Sequence, residues 1–242
     1  MRENMRRIRK WSATLGCTLV LVAAMSVDAV AQQDIEETTG IFEFSLGPYQ
    51  PNVDAEFDNG PYETFFGDDR MLYAEAQVDY HLWQEIGKLS LGFHAGYGRV
   101  SGDTLDQDGN ELDLDESASL RIIPLRTSLV YRYDYSAHRH NIPLVPVLKA
   151  GLNYNLWRAS DPGGDTSVVG EQRGSGGRPG WHATAGLHLH LDFFDPGGAA
   201  AFAMTWGIQN TYIYGEYTAT RTFGDGINLG ANHWSLGMAF EF

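Results

Sequence analysis

The 242-residue chain has one cysteine, Cys17. An intramolecular disulfide is therefore excluded. Past the N-terminus it also lacks any run of ~20 consecutive apolar residues, which excludes a helix-spanning membrane protein. Basic residues are scarce: 17 Lys and Arg stand against 31 Asp and Glu, a net charge of −14. Phosphate backbones select basic surfaces, so nucleic acid is excluded as a partner. Disorder is excluded in turn, because 43% of residues are hydrophobic and 12% aromatic. The mean hydropathy is nevertheless only −0.28, so the apolar residues are dispersed through the chain. Glycine is plentiful, at 28 residues, as expected of a chain made of turns and strands.

The N-terminus carries a basic stretch (Arg2, Arg6, Arg7, Arg9, Lys10), an apolar run over 15–27, and Ala29-Val30-Ala31 before Gln32. That is the order of a secretory signal with its small-x-small cleavage site. Residues 1–31 are expected to be removed after Sec-type export, with 32–40 a short periplasmic segment and 41–242 the folded domain. Thr14-Leu15-Gly16 is a poor lipoprotein match before Cys17, and cleavage after Ala31 would leave no cysteine. The mature chain would hold 12 basic and 29 acidic residues, a net of −17.

Eight segments alternate apolar and polar residues with period two, the mark of a strand with two different faces. They are 41–49, 71–82, 89–100, 119–135, 144–157, 180–193, 202–217 and 233–242. In "GWHATAGLHLHLDF" (180–193), Trp181, Ala183, Ala185, Leu187, Leu189, Leu191 and Phe193 share one face, while His182, Thr184, His188, His190 and Asp192 share the other. The segment 202–217 is less regular and is read with a bulge near Asn210. Long connections (50–69, 101–117, 158–179, 218–230) alternate with short ones (83–88, 136–143, 195–201). This is the plan of an antiparallel meander with long loops at one end, as in an outer-membrane barrel.

Alternation alone does not say which face is outside. The segment lengths match the ~9–11 residues of a tilted spanning strand. Aromatic residues fall in two bands, as interfacial girdles do. Tyr80, Tyr133, Phe193, Phe202, Phe240 and Phe242 mark the short-turn end; Tyr97, Tyr154, Trp181, Tyr212, Tyr214 and Trp234 mark the loop end. In lipid a sheet must close to pair its edges. The expected fold is all-β: an eight-stranded, closed, antiparallel transmembrane barrel, monomeric, in a Gram-negative outer membrane among lipid and lipopolysaccharide. The final strand, with Trp234, Leu236, Met238, Phe240 and Phe242 on one face, would close the wall against the first. It also resembles the C-terminal signal read by the barrel-assembly machinery.

Gly47-Pro48-Tyr49 with Pro51-Asn52, "PYETFFGD" (61–68), "PLVPVLKAGLNYNLW" (143–157), Asp195-Pro196 and "WSLGMAFEF" carry a resemblance. Together, in this order, they are similar to a family of small outer-membrane β-barrel proteins known mainly from myxobacteria. The resemblance implies the location and the barrel, and it implies no established activity. Loops 101–117 and 158–179 are peculiar to this sequence.

The polar face supplies the candidate site. Glu43, Glu75, Asp79, Arg126, Arg132, Lys149, Asp192 and Glu241 would point into the lumen. An eight-stranded barrel is just wide enough for side chains to fill, and buried charges need partners. A salt-bridged plug is expected, with a narrow passive pore as the alternative. Gly92, Gly96, Gly98, Gly151 and Gly186 are read as places where gaps for water could form. No cofactor is expected. His188, His190 and Asp192 have zinc-ligand chemistry, but i, i+2 side chains on a strand stand about 7 Å apart at ~3.3 Å per residue. Asp103, Asp106, Asp108, Asp113 and Asp115 in the acidic loop could gather Ca²⁺ through oxygen ligands, although their spacing is not that of an EF-hand. A lipid A-modifying enzyme would need a nucleophile with an oriented base. Ser235 and His233 are adjacent on one face without a specific orienting carboxylate, so no enzyme is expected. The role expected is structural, or surface interaction through four external loops.

Overall fold

The computed structural model describes residues 38–56, 62, 66, 70–102, 118–160, 166, 168–169, 172–224 and 227–242. The proposed signal peptide, Cys17 and the acidic loop with Asp103, Asp106, Asp108, Asp113 and Asp115 lie outside them. Eight strands form one closed sheet: β1 (Gly40–Tyr49), β2 (Met71–Glu85), β3 (Gly87–Gly102), β4 (Ala118–Arg132), β5 (Leu144–Ser160), β6 (Ser175–His190), β7 (Asn210–Thr222) and β8 (Asn232–Glu241). Each pairs antiparallel with its neighbours in sequence, and β8 returns to β1. The closing register sets Phe42 against Phe240, Phe44 against Met238 and Leu46 against Leu236. The fold is therefore the closed meander expected. Beside it, Val168–Val169 and Gln172–Arg173 make a two-stranded ribbon within one long loop.

Side-chain exposure follows the period of two. Along β1, Ile41, Glu43, Ser45 and Tyr49 are buried while Phe42, Phe44 and Leu46 are exposed. The same division runs around the wall, so the polar face points inward and the apolar face outward. Phe93 and Leu152 are each 60% exposed and Leu236 73%. A continuous apolar exterior of this kind is not sustained in water. The strands are 10 to 17 residues long, enough to cross a bilayer at a tilt. Closure pairs the backbone groups that lipid cannot satisfy. The barrel is a transmembrane one.

The connection between β6 and β7 departs from the sequence reading. The alternation predicts a short turn at 195–201, with the next strand beginning at Phe202. Instead β6 stops at His190 and Pro196–Trp206 forms a helix. Two other connections at that end are compact: one residue, Ile86, joins β2 to β3, and a helix α1 (Tyr135–His140) leads from β4 toward β5. The longer helix, α2, has well-formed ends. The Asp195 side chain accepts from the Gly198 N–H at 2.9 Å, Pro196 opens the first turn, and Gly207 closes the last at φ 69°. Ser, Asp or Asn before a first-turn Pro, with Gly past the end, is the usual helix signature.

This helix corrects three girdle assignments. Phe202 belongs to α2 and not to a strand. Tyr212 and Tyr214 are 0% and 5% exposed and face the lumen. A helix breaks the count of two, so a phase carried from Phe202 into β7 points every side chain to the wrong face. Two long loops are also shorter than expected. β5 runs on to Ser160 and β6 begins at Ser175, with Arg158 paired to Ser175. β7 likewise continues to Thr222.

Candidate functional site in the barrel lumen

The lumen is filled in layers. In the middle layer Glu43 of β1 takes a proton donor on each oxygen: Arg132 of β4 at 2.5 Å and Lys149 of β5 at 2.5 Å. Strands β1 and β5 are four places apart in a ring of eight, so the Glu43–Lys149 contact spans the full diameter. Lys149 also reaches Glu216 of β7 at 2.9 Å and the Gln77 side-chain oxygen at 2.8 Å. Gln77 donates to Asp79 at 2.6 Å, and Arg132 lies 4.0 Å from Asp79. His188 sits 3.1 Å from Glu216 and stacks on Tyr214, with ring centroids 4.5 Å apart. Glu43, Arg132, Lys149 and His188 are all buried. Charges taken out of water this far need partners on most of their polar atoms.

A second layer lies toward the short-turn end, centred on Glu241 of β8. One oxygen receives Lys88 at 2.7 Å and Thr38 at 3.0 Å and lies 3.0 Å from His81. The other receives Asn210 at 2.9 Å and Tyr212 at 3.1 Å. Lys88 completes its shell with Asp134 at 3.2 Å. The groups come from β2, β3, β7 and β8 and from the segments just before β1 (Thr38) and just after β4 (Asp134), so this layer ties most of the wall together.

The third layer lies toward the loops. Arg126 pairs with Glu75 at 2.9 Å and stands 5.6 Å over the Tyr73 ring. Tyr73 donates to Glu75, and His94 bridges Glu75 and Ser128. Beyond it the lumen turns apolar. Tyr49, Met71, Tyr73, Val100, Leu120 and Ile122 on the strand ends pack with Tyr62, Leu229 and Ala231 from the loops. Tyr49 is fixed by a 2.6 Å hydrogen bond to the Leu229 carbonyl. An apolar lid of described residues thus sits at the loop end above the ion pairs. Between lid and middle layer, the side chains of Asn153, Asn155 and His182 find no hydrogen-bond partner among the described residues. This is the least satisfied stretch of the interior.

Four of the five glycines read as places for water gaps, Gly92, Gly96, Gly98 and Gly186, instead seat side chains, and Gly151 lies against the Thr127 carbonyl of the neighbouring strand. A Cβ on Gly96 would collide with the Tyr73 ring, and one on Gly186 with Glu216. Two concavities, of about 470 and 370 Å³, both lie among apolar side chains of the outer face, such as Leu148 and Ala183 or Leu152 and Tyr154.

Seven of the eight charges assigned to the lumen from sequence are there: Glu43, Glu75, Asp79, Arg126, Arg132, Lys149 and Glu241. Asp192 is not. It falls past the end of β6, accepts the Thr211 N–H at 3.3 Å and lies 3.4 Å from His190. Lys88, Asp134 and Glu216 were missed. Lys88 falls in the connection read as 83–88, Asp134 lies on the polar face of the 119–135 segment but at its end, and Glu216 shares the phase error of β7. His188 faces the centre of the lumen, whereas His190 sits at the rim, so His188, His190 and Asp192 do not converge on one point. The carboxylates that do approach His188 are Glu43 and Glu216, and the Lys149 ammonium bonds to both. The two carboxylates are thus already paired with a cation of the protein itself. Ser235 and His233 remain on one face. His233 packs edge-on against Tyr49 and Tyr73, and its Nδ1 has no hydrogen-bond partner among the described residues. The exterior of β8 is as expected: Trp234, Leu236, Met238 and Phe242 are exposed and Phe240 is half-buried.

No protein-family model matches the sequence, and no curated protein matches it. Solved structures are similar at low identity. Ail, the attachment invasion locus protein of Yersinia pestis, aligns over 85% of this chain and 97% of its own, with 12% identity and a TM-score of 0.44. Neisserial surface protein A aligns over 84% and 96%, with 12% identity and a TM-score of 0.46. OprG from Pseudomonas aeruginosa aligns over 85% and 96%, again with 12% identity and a TM-score of 0.46.

Proposed function

We propose that the protein is a non-conducting, non-enzymatic barrel of a bacterial outer membrane, serving as an envelope element that presents its long loops to the exterior. The Glu43–Lys149 contact carries this reading. Two side chains from opposite walls meet at 2.5 Å, so at that level the lumen is occupied by protein. The Glu241 layer below and the apolar lid above repeat the closure. A passive pore is the second reading, favoured only by the unsatisfied Asn153, Asn155 and His182; that stretch is bounded by closed layers on both sides. In the same proposal the partners are outer-membrane lipid and lipopolysaccharide, with the barrel-assembly machinery acting during insertion. The kinship to the small myxobacterial barrels belongs with it.

The loops carry the role, so they must face outward. Protease added to intact cells is expected to cut within 50–69, 103–117, 161–174 or 223–231 and to leave the barrel inserted. Cleavage only after the outer membrane is permeabilised, or cleavage near Ile86 in intact cells, would reverse the orientation and remove the surface role.

A further inference from the structure

Among the described residues, the helix α2 finds no protein surface to bury against. Its sequence, PGGAAAFAMTW, contains no charged residue, and none of its residues is buried. Phe202 is 42% exposed, Met204 89% and Trp206 72%. Just before it, Phe193 and Phe194 stack edge-to-face and are 48% and 63% exposed. An isolated helix shorter than ~12–15 residues is marginal in water. One apolar on every side belongs in an apolar medium. At ~1.5 Å per residue an 11-residue helix is roughly 16 Å long, which is too short for a ~30 Å hydrocarbon core.

The position of α2 supplies the medium. It leaves β6 after His190 and joins β7 at Asn210, at the short-turn end of the barrel. There Tyr80, Leu82 and Phe242 stand out on the lipid-facing belt, 59%, 55% and 45% exposed. Nearer the helix, Leu187 of β6, Leu144 of β5 and Ile213 of β7 face outward too, 48%, 40% and 42% exposed, and Phe193 and Phe194 lie on the chain between β6 and α2. Trp is favoured at the boundary between headgroups and acyl chains, and the capping carboxylate of Asp195 marks the polar end.

We propose that α2 is an interfacial helix, bound along the leaflet at the short-turn end with Phe202, Met204 and Trp206 in the acyl boundary. Its partner is the lipid surface itself. The helix fixes the depth and tilt of the barrel by adding an apolar arm outside the wall. The inference rests on the barrel spanning a bilayer and is independent of whether the lumen conducts.

The near absence of cysteine makes the test direct. A nitroxide is attached at Met204→Cys in the full chain carrying Cys17→Ser, refolded into dioleoylphosphatidylcholine vesicles. Leu152→Cys, on the outer wall, is the membrane control. The label at 204 is expected ~5–10 Å below the headgroups, with its relaxation shifted toward dissolved oxygen and away from a water-soluble nickel chelate. Preferential relaxation by nickel at 204, with oxygen still dominant at 152, overturns the interfacial helix and leaves the barrel intact. Nickel dominance at 152 overturns the transmembrane reading, and this inference with it. Spin–spin broadening that grows with protein-to-lipid ratio identifies a second copy as the occupant, and also overturns the proposal. Should Met204→Cys fail to fold, Ala200→Cys on the same exposed helix gives the same readout.

Discussion

Replacing Glu43 by alanine is expected to cost the barrel about 3–5 kcal/mol. Glu43 is fully buried and receives Arg132 and Lys149 at 2.5 Å each. Removing it leaves two buried cations side by side on the neighbouring strands β4 and β5. Among the described residues Arg132 retains as an ion-pair partner only the distant Asp79 at 4.0 Å, while Lys149 keeps Glu216 and Gln77. Arg132 therefore bears most of the loss. Removing an interaction together with its partner costs less than the two single changes would sum to. Glu43→Ala/Arg132→Ala is accordingly expected to lose less than the two variants added. Urea unfolding of protein refolded into lipid vesicles gives all three values. Additivity would mean that the two side chains do not interact.

Deleting Phe242 is expected to reduce the assembled fraction more than deleting residues 103–117 of the acidic loop. The seam between β8 and β1 ends on this residue. Its carbonyl accepts from Thr39 at 2.6 Å and Gly40 at 3.0 Å, and its N–H donates to the Gly40 carbonyl at 3.0 Å. Each such bond is worth roughly 0.5–1.5 kcal/mol net in water, and an unpaired strand end in lipid has no solvent to replace it. The neighbouring Glu241 also depends on the seam, since it collects Lys88, Thr38, Asn210 and Tyr212. Heat-modifiable migration of outer-membrane fractions reports the folded barrel. Wild-type levels of the shortened protein, beside reduced levels of the loop deletion, would show that the seam end contributes little.

Much of this interior could be read from the sequence, and the failures have a physical cause. Within one strand, period two is rigid, so Glu43, Glu75, Asp79, Arg126, Arg132 and Lys149 fall on the inner face once each strand is found. Across a connection nothing preserves the phase. Phe202, Met204 and Trp206 alternate with Ala203 and Thr205, which imitates a strand. Asp195-Pro196, then Gly197-Gly198 and three alanines, closed by Gly207, is the helix signal beneath that imitation. Taking it would have restarted the count at Asn210 and placed Tyr212, Tyr214 and Glu216 inside. The apolar lid was hidden for a different reason. Tyr62 and Leu229 lie in loops, and only the folded chain brings them onto Tyr49, Met71 and Ile122. Pairing across the lumen is equally non-local: Glu43 and Lys149 are 106 positions apart, and no local pattern links them.

The central claim is that ion pairs and an apolar lid close the lumen. Planar-bilayer recording of the purified barrel tests it most directly. No steady single-channel steps are expected from the wild-type protein. Steady steps that disappear when Lys149 or Arg126 is neutralised would contradict the account, because they would place an open ion path through the residues that are held here to block it.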